Sequence, residues 1–457
     1  MSIEEYLDSL RGRTVAVIGV GVSNQPLIEL LLSHGISVTA RDRKEDLGMA
    51  GERLAALGAR LRLGEDYLGD LQEDVIFRTP GMRPDLPALS AAVAAGSRLT
   101  SEMEVFLEVC PCPVLAVTGS DGKTTTTTII AELLKAAGRT VHVGGNIGHP
   151  LLSEAGTMAP EDLAVLELSS FQLMTMTRSP HVAVVTNLAP NHLDVHRDFE
   201  EYITAKENIF THQGPQDLAV FNADNDITAA QAARAVGRAR LFSRRREVPD
   251  GVFLRGEAVI ARSQGRERQV MTVGDIRLPG VHNVENFLAA IAAVDGLVPD
   301  ETIRAFAREF GGVEHRIELV RTRKGVRWYN DSIASSPSRT IAGLNAFDQR
   351  VILIAGGKDK GISYAPLGPV INEHVKLLIL CGATAGVIRQ AVEEAENYQG
   401  LEILEVGDYP AAVETADRRS AEGDVVILSP ASTSFDRFAN FMERGRVFKD
   451  LVQKLPE

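Results

Sequence analysis

Short apolar runs alternate with longer amphipathic stretches along almost the whole chain. Runs of about four to eight apolar residues between turn residues predict buried strands, and longer stretches with a helical repeat predict helices. Strand-like runs include Thr14–Ile18, Val182–Thr186 and Val425–Leu428, with helix-like stretches between them. Strands that alternate with helices predict an α/β fold in which the sheets are mainly parallel.

Shifts in this pattern predict three domains, residues 1–100, 101–312 and 313–457. The first opens with a βαβ unit of the mononucleotide-binding kind, residues 14–40. Within the second, residues 250–278 combine many charges with short apolar runs, which predicts an antiparallel flap. A length of 457 residues agrees with three domains of about 150 residues each.

Composition narrows the classes of protein that fit. The formal net charge of −13 argues against a broad binding surface for nucleic acid or for an anionic membrane. No apolar run approaches a membrane span of about 18 residues, and the acidic start, Met1–Tyr6, has no apolar signal segment. Three cysteines are present, and the spacing of Cys110 and Cys112 is neither a metal nor a redox motif. We therefore expect buried or free thiols and a cytoplasmic location.

A glycine-rich loop, Thr118–Thr124, carries the strongest chemical signal. Its sequence, Thr-Gly-Ser-Asp-Gly-Lys-Thr, lies between a strand-like run and the helix-like stretch Thr125–Ala136. Backbone N–H groups and a helix N-terminus would face a phosphate, Lys123 would add a positive charge, and a Thr hydroxyl could hold Mg²⁺. The strict G-x4-G-K-[ST] pattern fails at Val117, which favours a subclass with a shorter loop over a general P-loop.

A second glycine-rich turn, Gly19–Asn24, follows the first strand. It approaches the dinucleotide pattern G-x-G-x-x-G but ends in Asn24 instead of the third glycine. With Asp42 after the next strand, it could bind NAD, another nucleotide-linked ligand, or no ligand at all. Thr79 and Gly81 follow another strand of the same domain, so we expect them at the same edge of the sheet.

Three further side chains could act at the phosphate loop. Glu167 ends a predicted strand, and a carboxylate there could bind Mg²⁺ or serve as a helix cap or salt-bridge partner. His192 follows another strand and is either a metal ligand or an ordinary loop histidine. Lys206 lies on a helix-like stretch, where spacing alone indicates a solvated lysine.

Polar residues also mark the ends of later elements. Asn283 and Asn286 are one helical turn apart and could bind an adenine or a phosphate, or act as ordinary polar positions. Arg316 precedes a predicted strand and could stabilise phosphate charge. The loop Gly356–Gly361 contains two lysines, and Ser429–Asp436 is predicted to start the last helix, where its hydroxyls and the helix N-terminus would bind a carboxylate or serve as caps.

In order and spacing these pieces resemble the Mur ligases of bacterial cell-wall synthesis over essentially the whole chain. Segment 167–173, Glu-Leu-Ser-Ser-Phe-Gln-Leu, is similar to the family member that adds D-glutamate rather than to its siblings or to folylpolyglutamate synthase. The resemblance implies three α/β domains: a Rossmann-like N-terminal domain for a UDP-sugar, a central P-loop ATPase-like domain for ATP, and a Rossmann-like C-terminal domain for the amino acid.

The resemblance also implies a reaction and its substrates. The carboxylate of UDP-N-acetylmuramoyl-L-alanine would attack the γ-phosphate of ATP, and the amine of D-glutamate would then displace phosphate from the acyl phosphate. Two Mg²⁺ ions would assist, and a carbamate formed from CO₂ on Lys206 would serve as an oxygen ligand. We expect a monomer that acts on small molecules and binds no nucleic acid.

Individual residue roles follow from the same resemblance. The catalytic group would be Lys123, Glu167, His192 and Lys206, of which Glu167, His192 and carbamylated Lys206 would bind metal together with Thr124. ATP would contact Gly119, Ser120, Asp121, Gly122, Lys123, Thr124, Thr125, Asn283, Asn286, Arg316 and Asp331. The UDP-sugar would contact Gly21, Ser23, Asp42, Thr79, Gly81 and Asn146. D-glutamate would contact Ser335, Lys360, Ser434 and Phe435.

One departure from the family pattern concerns the amino-acid site. Many members have Asp-Ser-Lys-Ala-Thr where this chain has Asp331-Ser332-Ile333-Ala334-Ser335. Ile333 replaces a lysine there, so one charge contact to D-glutamate would be absent or supplied by Lys358, whereas Ser335 keeps a hydroxyl.

Other classes of function stay open at this point. An NAD-dependent oxidoreductase built on the first βαβ unit would leave Glu167, Lys206 and the phosphate loop without a purpose. A nucleotide-binding regulator would bind ATP without substrate-dependent release of phosphate. A sibling Mur ligase or a folylpolyglutamate synthase is the remaining alternative.

Overall fold

The computed structural model describes residues 1–21, 24–190, 195–359 and 362–456. These residues form two compact units. The first unit comprises Met1–Asp275 with His282–Arg308, and the second comprises Ile276–Val281 with Glu309–Glu457. The predicted boundaries at residues 100 and 312 stay a prediction.

The first unit begins with a five-stranded sheet, the N-terminal sheet, whose strand order is β3-β2-β1-β4-β5. All of its strand pairs are parallel. Its elements are α1 (Ile3–Ser9), β1 (Thr14–Ile18), α2 (Asn24–Ser33), β2 (Ser37–Asp42), α3 (Met49–Ala56), β3 (Arg60–Leu63), β4 (Val75–Arg78), α4 (Pro87–Ala94), β5 (Arg98–Thr100) and α5 (Glu102–Val109).

A nine-stranded sheet, the central sheet, follows in the same unit with the order β14-β13-β12-β11-β10-β9-β6-β8-β7. The strands β6 to β11 pair in parallel. The elements are β6 (Val114–Thr118), α6 (Lys123–Ala136), β7 (Val141–Gly145), β8 (Leu163–Glu167), α7 (Ser170–Leu173), β9 (Val182–Val185), α8 (Phe199–Glu207), β10 (Leu218–Asn222), α9 (Asp226–Gln231), β11 (Arg238–Ser243), β12 (Gly251–Arg255), β13 (Ala258–Ser263), β14 (Arg266–Thr272), α10 (Val281–Val294) and α11 (Asp300–Glu309).

The second unit contains a six-stranded sheet, the C-terminal sheet, in the order β15-β16-β20-β17-β18-β19. Its first two strands form an antiparallel pair, and the others are parallel. The elements are β15 (Glu318–Arg323), β16 (Val326–Asn330), α12 (Pro337–Leu344), β17 (Val351–Ala355), α13 (Leu367–His374), β18 (Val375–Leu380), α14 (Ala385–Glu393), β19 (Glu402–Glu405), α15 (Tyr409–Arg419), β20 (Val425–Leu428) and α16 (Phe441–Lys454).

The predicted α/β class with mainly parallel sheets is confirmed, and two details differ from the sequence interpretation. Residues 250–278 do contain antiparallel strands, but β12 pairs in parallel with β11, so these strands extend the central sheet instead of forming a separate flap. The last helix begins at Phe441, after the cap Asn440, and not within Ser429–Asp436. Among the described helices, none is both long and apolar enough to cross a bilayer.

The central sheet positions the candidate site through its register. Strands β6 and β8 are buried on both faces, as their near-continuous apolar sequences require in a parallel sheet. Val117 pairs with Glu167, and Thr118 pairs with Val185. Parallel pairing therefore brings the loops after β6, β8 and β9 to one edge of the sheet.

Candidate active site

The phosphate loop, Thr118–Thr124, runs from the end of β6 into the first turn of α6. Gly119 and Gly122 have φ angles of 147° and 76°, values that side chains with a Cβ rarely adopt. A Cβ on Gly119 would overlap the hydroxyl of Thr186, and one on Gly122 would overlap the amide oxygen of Asn286. Glycine is therefore required at both positions by conformation and by packing.

Residues 186–189, which follow β9, form hydrogen bonds to the phosphate loop. The Asp121 backbone N–H donates to Asn187 Oδ1 at 2.9 Å, and Thr186 Oγ1 donates to the Asp121 carbonyl at 2.6 Å. The Ser120 backbone N–H donates to the Asn187 carbonyl, and its hydroxyl donates to the Ala189 carbonyl, both at 2.9 Å. These contacts preorganise the loop, and sequence reasoning missed Thr186 and Asn187.

Lys123 places its ammonium over the phosphate loop. Its Nζ atom donates to the carbonyls of Gly119 and Ser120, each at 3.0 Å. Thr124 and Thr125 follow in the first turn of α6, so their backbone N–H groups belong to the positive end of that helix. This edge of the sheet therefore combines a cation, a helix N-terminus and hydroxyl groups, which is the chemistry of a phosphate site.

Glu167 ends β8 and is 2% exposed. Its Oε1 atom accepts from Asn146 Nδ2 at 2.7 Å, whereas Oε2 has no hydrogen-bond partner in the described part of the chain. An unpartnered buried carboxylate oxygen is costly, and a divalent cation would satisfy it. Asn146, which was expected to contact the UDP-sugar, holds the metal candidate Glu167 in this structure.

Lys206 lies on α8 and is also 2% exposed, so its interpretation as a solvated lysine is wrong. Its Nζ atom donates to Thr118 Oγ1 at 3.1 Å and lies 4.8 Å from the centre of the Tyr202 ring. Burial, followed by the charge of Lys123, lowers the pKa of Lys206 well below its ordinary value. The charges of Glu167 and Asp121 oppose this effect.

Aromatic side chains support the same region. Tyr202, one helical turn before Lys206, hydrogen-bonds to the Ser120 hydroxyl at 3.0 Å. His196 Nε2 lies 2.9 Å from Ser170 Oγ. The His196 ring stacks on the Phe171 ring, with 5.5 Å between the ring centres. The spacing of four residues between Tyr202 and Lys206 is the sequence signal that could have identified Tyr202.

The two predicted asparagines of α10 lie against the first turn of α6. Asn286 Oδ1 accepts from Thr126 Oγ1 at 3.2 Å, and Asn286 Nδ2 donates to Asn283 Oδ1 at 3.1 Å. Both side chains are buried. The structure thus brings them to the phosphate loop, and a direct contact with ATP stays a prediction.

The predicted UDP-sugar residues gather at the edge of the N-terminal sheet. Gly19 has a φ of 84° and packs so closely on Thr79 that an added Cβ would lie 2.9 Å from Thr79 Cβ. Asp42 accepts from the backbone N–H groups of Val20 at 2.7 Å and Lys44 at 2.9 Å. These bonds occupy both carboxylate oxygens with the local backbone. Gly21 and Gly81 are exposed.

Asn24 accounts for the missing third glycine of this turn. Its side-chain amide donates to the carbonyls of Ile18 and Gly19, at 3.2 and 2.8 Å. In a dinucleotide-binding fold the third glycine allows the helix to pack closely on the strand. Here the Asn24 side chain instead forms hydrogen bonds to the backbone at the end of β1.

In the second unit, Asp331 is buried, and burial raises its pKa to about 7. Ser429 Oγ donates to one of its oxygens at 2.7 Å, and the Ile317 N–H donates to the other at 3.3 Å. Arg316 is the neighbour of this buried group, and its charge lowers the pKa in opposition to burial.

The expected D-glutamate residues have different environments. Ser434 is 3% exposed, whereas Phe435 is 63% exposed. The loop of Lys358 pairs with Thr433 through backbone bonds of 2.9 and 3.1 Å. At the departure from the family pattern, Arg339 donates to the Ile333 carbonyl at 3.2 Å, so a guanidinium lies beside the position of the missing lysine.

Three predicted residues, Ser23, His192 and Lys360, lie outside the described residues. Among those that are described, the structure brings the ATP and metal candidates of the first unit together at one sheet edge. They are Gly119, Ser120, Asp121, Gly122, Lys123, Thr124, Thr125, Glu167, Lys206, Asn283 and Asn286.

Known proteins match this chain over most of its length, and the matches agree with the family resemblance. The Mur ligase middle domain matches residues 117–294, and the Mur ligase glutamate ligase domain matches residues 315–432. A protein of Ruminiclostridium cellulolyticum named UDP-N-acetylmuramoylalanine–D-glutamate ligase is 51% identical over 460 residues, which cover 99% of each chain. A protein of Symbiobacterium thermophilum with the same name is 49% identical over 447 residues, or 96% of this chain and 98% of that one.

A solved structure agrees in fold. UDP-N-acetylmuramate-alanine ligase from Thermotoga maritima has a TM-score of 0.58 and 19% sequence identity, with coverage of 97% of this chain and 100% of that chain. At this identity the likeness concerns the fold alone.

Proposed function

Because this chain belongs to the Mur ligase family, we propose that it is an ATP-dependent ligase that joins D-glutamate to UDP-N-acetylmuramoyl-L-alanine. The products would be the extended UDP-linked glycopeptide, ADP and phosphate, in the cytoplasmic synthesis of peptidoglycan precursors. Its full-length relatives, at 51% and 49% identity, have names that support this choice of substrates.

The observation that carries the proposal is the buried group formed by Glu167, Lys206 and the phosphate loop. A substrate carboxylate and ATP are both anionic, and their repulsion grows as the surroundings become less polar. Lys123 supplies a positive charge at the loop, and α6 directs its N-terminus to the same place. A site with this charge pattern would stabilise phosphoryl transfer to a carboxylate.

Two Mg²⁺ ions are part of this proposal. The donor set fits a hard cation, because Glu167 has an oxygen without a hydrogen-bond partner among the described residues and Thr124 offers a hydroxyl on the first turn of α6. His192 is the proposed ligand of the second ion and lies outside the described residues. When bound, the ions would neutralise charge on the phosphates.

We also propose that Lys206 carries a carbamate formed from CO₂. Only an unprotonated amine reacts with CO₂, and burial favours that form of Lys206. Reaction joins Nζ to the carbon of CO₂ and releases one proton, which converts the side chain into an anionic oxygen donor. A carbon-13 NMR signal of carbamate after exposure to labelled CO₂, absent from Lys206→Met, would test this without an activity assay.

The remaining roles concern binding. Gly21, Ser23, Asp42, Thr79 and Gly81 are proposed for the UDP part, and Asn146 is proposed to act through Glu167. Arg316 and Asp331 are proposed for the nucleotide. Ser335, Lys360, Ser434 and Phe435 are proposed for D-glutamate.

The decisive experiment measures phosphate release with ATP, Mg²⁺ and UDP-N-acetylmuramoyl-L-alanine. D-glutamate, L-glutamate, D-alanine or no amino acid is added in parallel. Release that depends on D-glutamate, with a product heavier by one glutamyl residue, is the expected result. Release that depends on another amino acid would assign a sibling activity, and ATP binding without any stimulated release would indicate a regulator.

A further inference from the structure

Two cysteines face each other where the N-terminal region joins the central sheet. Cys110 Sγ lies 3.5 Å from Cys112 Sγ and also 3.5 Å from the Cys112 carbonyl oxygen. The Cys110 backbone N–H donates to the Phe106 carbonyl at 2.9 Å and so ends α5, and β6 begins at Val114. Cys110 is half-buried and Cys112 is buried. The short connection between α5 and β6 therefore holds the two sulfurs close to each other.

We propose that Cys110 and Cys112 form a dithiol that small soluble disulfides oxidise reversibly to an intramolecular disulfide. A disulfide bond is about 2.05 Å long, so the sulfurs have to approach each other by about 1.5 Å. The modification is separate from the ligase chemistry, because the cysteines precede β6 and the phosphate loop follows it.

The surroundings of the two cysteines determine which thiol reacts first with the soluble disulfide. The hydrogen bond between the two thiols lowers the pKa of Cys110 and raises the pKa of Cys112. Cys110 is also the more accessible of the two. His142 and Asp162, which pair at 2.9 Å, are the ionisable groups that act on Cys112. Cys110 is therefore the attacking thiol, and Cys112 is the resolving thiol.

The reaction balances with a soluble disulfide as the oxidant. The Cys110 thiolate attacks one sulfur of the oxidant, forms a mixed disulfide and releases one thiolate. Cys112 then loses its proton and attacks the Cys110 sulfur, which forms the protein disulfide and releases the second thiolate. The two protein thiols are oxidised by two electrons, the oxidant is reduced to two thiols, and the protons lost by the protein are taken up by them.

Within the residues that the structure describes, no group of three or more His, Cys, Asp or Glu side chains is arranged to hold a metal ion. Two thiols do suffice for a trivalent arsenical: phenylarsine oxide forms two As–S bonds with a close dithiol and releases one water. This reagent is therefore a probe for the geometry of the pair.

The test uses the full-length reduced protein, freed of reductant and incubated with oxidised glutathione. It is then denatured, alkylated and analysed by mass spectrometry. We expect an internal disulfide between Cys110 and Cys112 with a mass about 2 Da lower, alkylation of Cys381 alone, and recovery of all three thiols after dithiothreitol. Stable glutathione on Cys110, disulfide-linked dimers, or alkylation of all three cysteines would each overturn the proposal.

Variants separate the two roles. Cys112→Ser should retain glutathione on Cys110 as a stable mixed disulfide, whereas Cys381→Ser should behave as the parent protein. If Cys112→Ser fails to fold, the parent protein with phenylarsine oxide gives a second measurement. One arsenic per chain that protects both thiols from alkylation supports the proposal, and free alkylation of both refutes it. ATP binding, measured in parallel, should be equal in the reduced and oxidised protein.

Discussion

Two glycine-rich turns of the first unit, one after β1 and one after β6, differ in how the polar side chains around them are paired. After β1, Asp42 accepts two backbone N–H groups and Asn24 donates to two carbonyls, so both of these side chains already have partners within the protein. After β6, Lys123 donates to two carbonyls of the phosphate loop, and one carboxylate oxygen of Glu167 has no hydrogen-bond partner within the ranges that the structure describes. The second turn therefore holds charges that a ligand would compensate.

Both turns are proposed to bind a ligand, and they differ in how far their polar side chains are paired in the free protein. A turn whose donors and acceptors pair with each other is rigid and contributes to stability. A site with buried, uncompensated charge costs stability in the free protein and becomes favourable when an ion or a phosphate arrives. The following predictions test whether the two turns divide in this way.

The largest effect should come from Lys123→Met. Removal of a charge that stabilises phosphoryl transfer should lower the rate of D-glutamate-dependent phosphate release on the order of 10³-fold. The matched control is Lys135→Met on the same helix, because Lys135 forms an exposed pair with Glu132. This variant should retain activity within about twofold. Equal losses in the two variants would contradict the assignment of Lys123.

Glu167→Gln and Asp42→Asn should give opposite patterns. Glu167→Gln should lower the rate on the order of 10²-fold. The thermal stability of the free protein should be unchanged or higher, because the amide keeps an acceptor for Asn146 and replaces a buried carboxylate oxygen that has no partner among the described residues. Asp42→Asn loses one acceptor of the turn, so its free energy of unfolding should fall by about 1 kcal/mol. Calorimetry measures the stability of both variants, and steady-state kinetics measures their rates. A Glu167→Gln variant that is less stable than Asp42→Asn would contradict the prediction.

Lys206 should make stability depend on pH. Its pKa is lowered in the folded protein, so the unfolded state binds more protons at neutral pH and stability rises as pH approaches about 10.4. Lys206→Met should therefore melt at a higher temperature than the parent near pH 7, by about 3 °C for each kcal/mol gained, and the gap should narrow towards pH 10. The measurement requires buffer free of CO₂ and metal, and a gap that widens with pH would contradict it.

Replacement of glycines by alanine should separate the effect of backbone strain at positive φ from the effect of steric overlap with a neighbouring side chain. Gly122→Ala and Gly19→Ala place a Cβ at positive φ and against a neighbour, Asn286 or Thr79. Gly138 and Gly35 also have positive φ but have no atom within 4 Å of an added Cβ, so their Ala variants measure conformational strain alone, about 1–2 kcal/mol. The first pair should lose more stability than the second.

Kinetics sharpen the same comparison. Gly122→Ala should raise the KM for ATP and leave the KM for the UDP-linked substrate unchanged, whereas Gly19→Ala should do the reverse. Parallel changes in both constants would show that the two turns do not serve separate ligands.

Local sequence signals predicted most elements and the phosphate loop. The apolar run of β6, the glycines and the lysine–threonine pair each act over a few residues, so their structural consequence can be inferred without distant contacts. The same reasoning failed for Ser429–Asp436, which was expected to begin a helix. The hydroxyls there have partners from other loops, since Ser432 contacts Tyr364 and Thr384 at 2.9 and 2.8 Å.

Periodicity and short motifs were sufficient to predict the fold class, the position of the phosphate loop and the family resemblance. The packing of distant segments was needed to see that Lys206 is buried on Thr118, 88 residues earlier in the chain, and that one oxygen of Glu167 has no partner in the part of the chain that the structure describes. The tertiary structure also decided that Cys110 and Cys112 are within reach of each other. Burial and charge environment are properties of the packed neighbours, and spacing along one segment does not contain them.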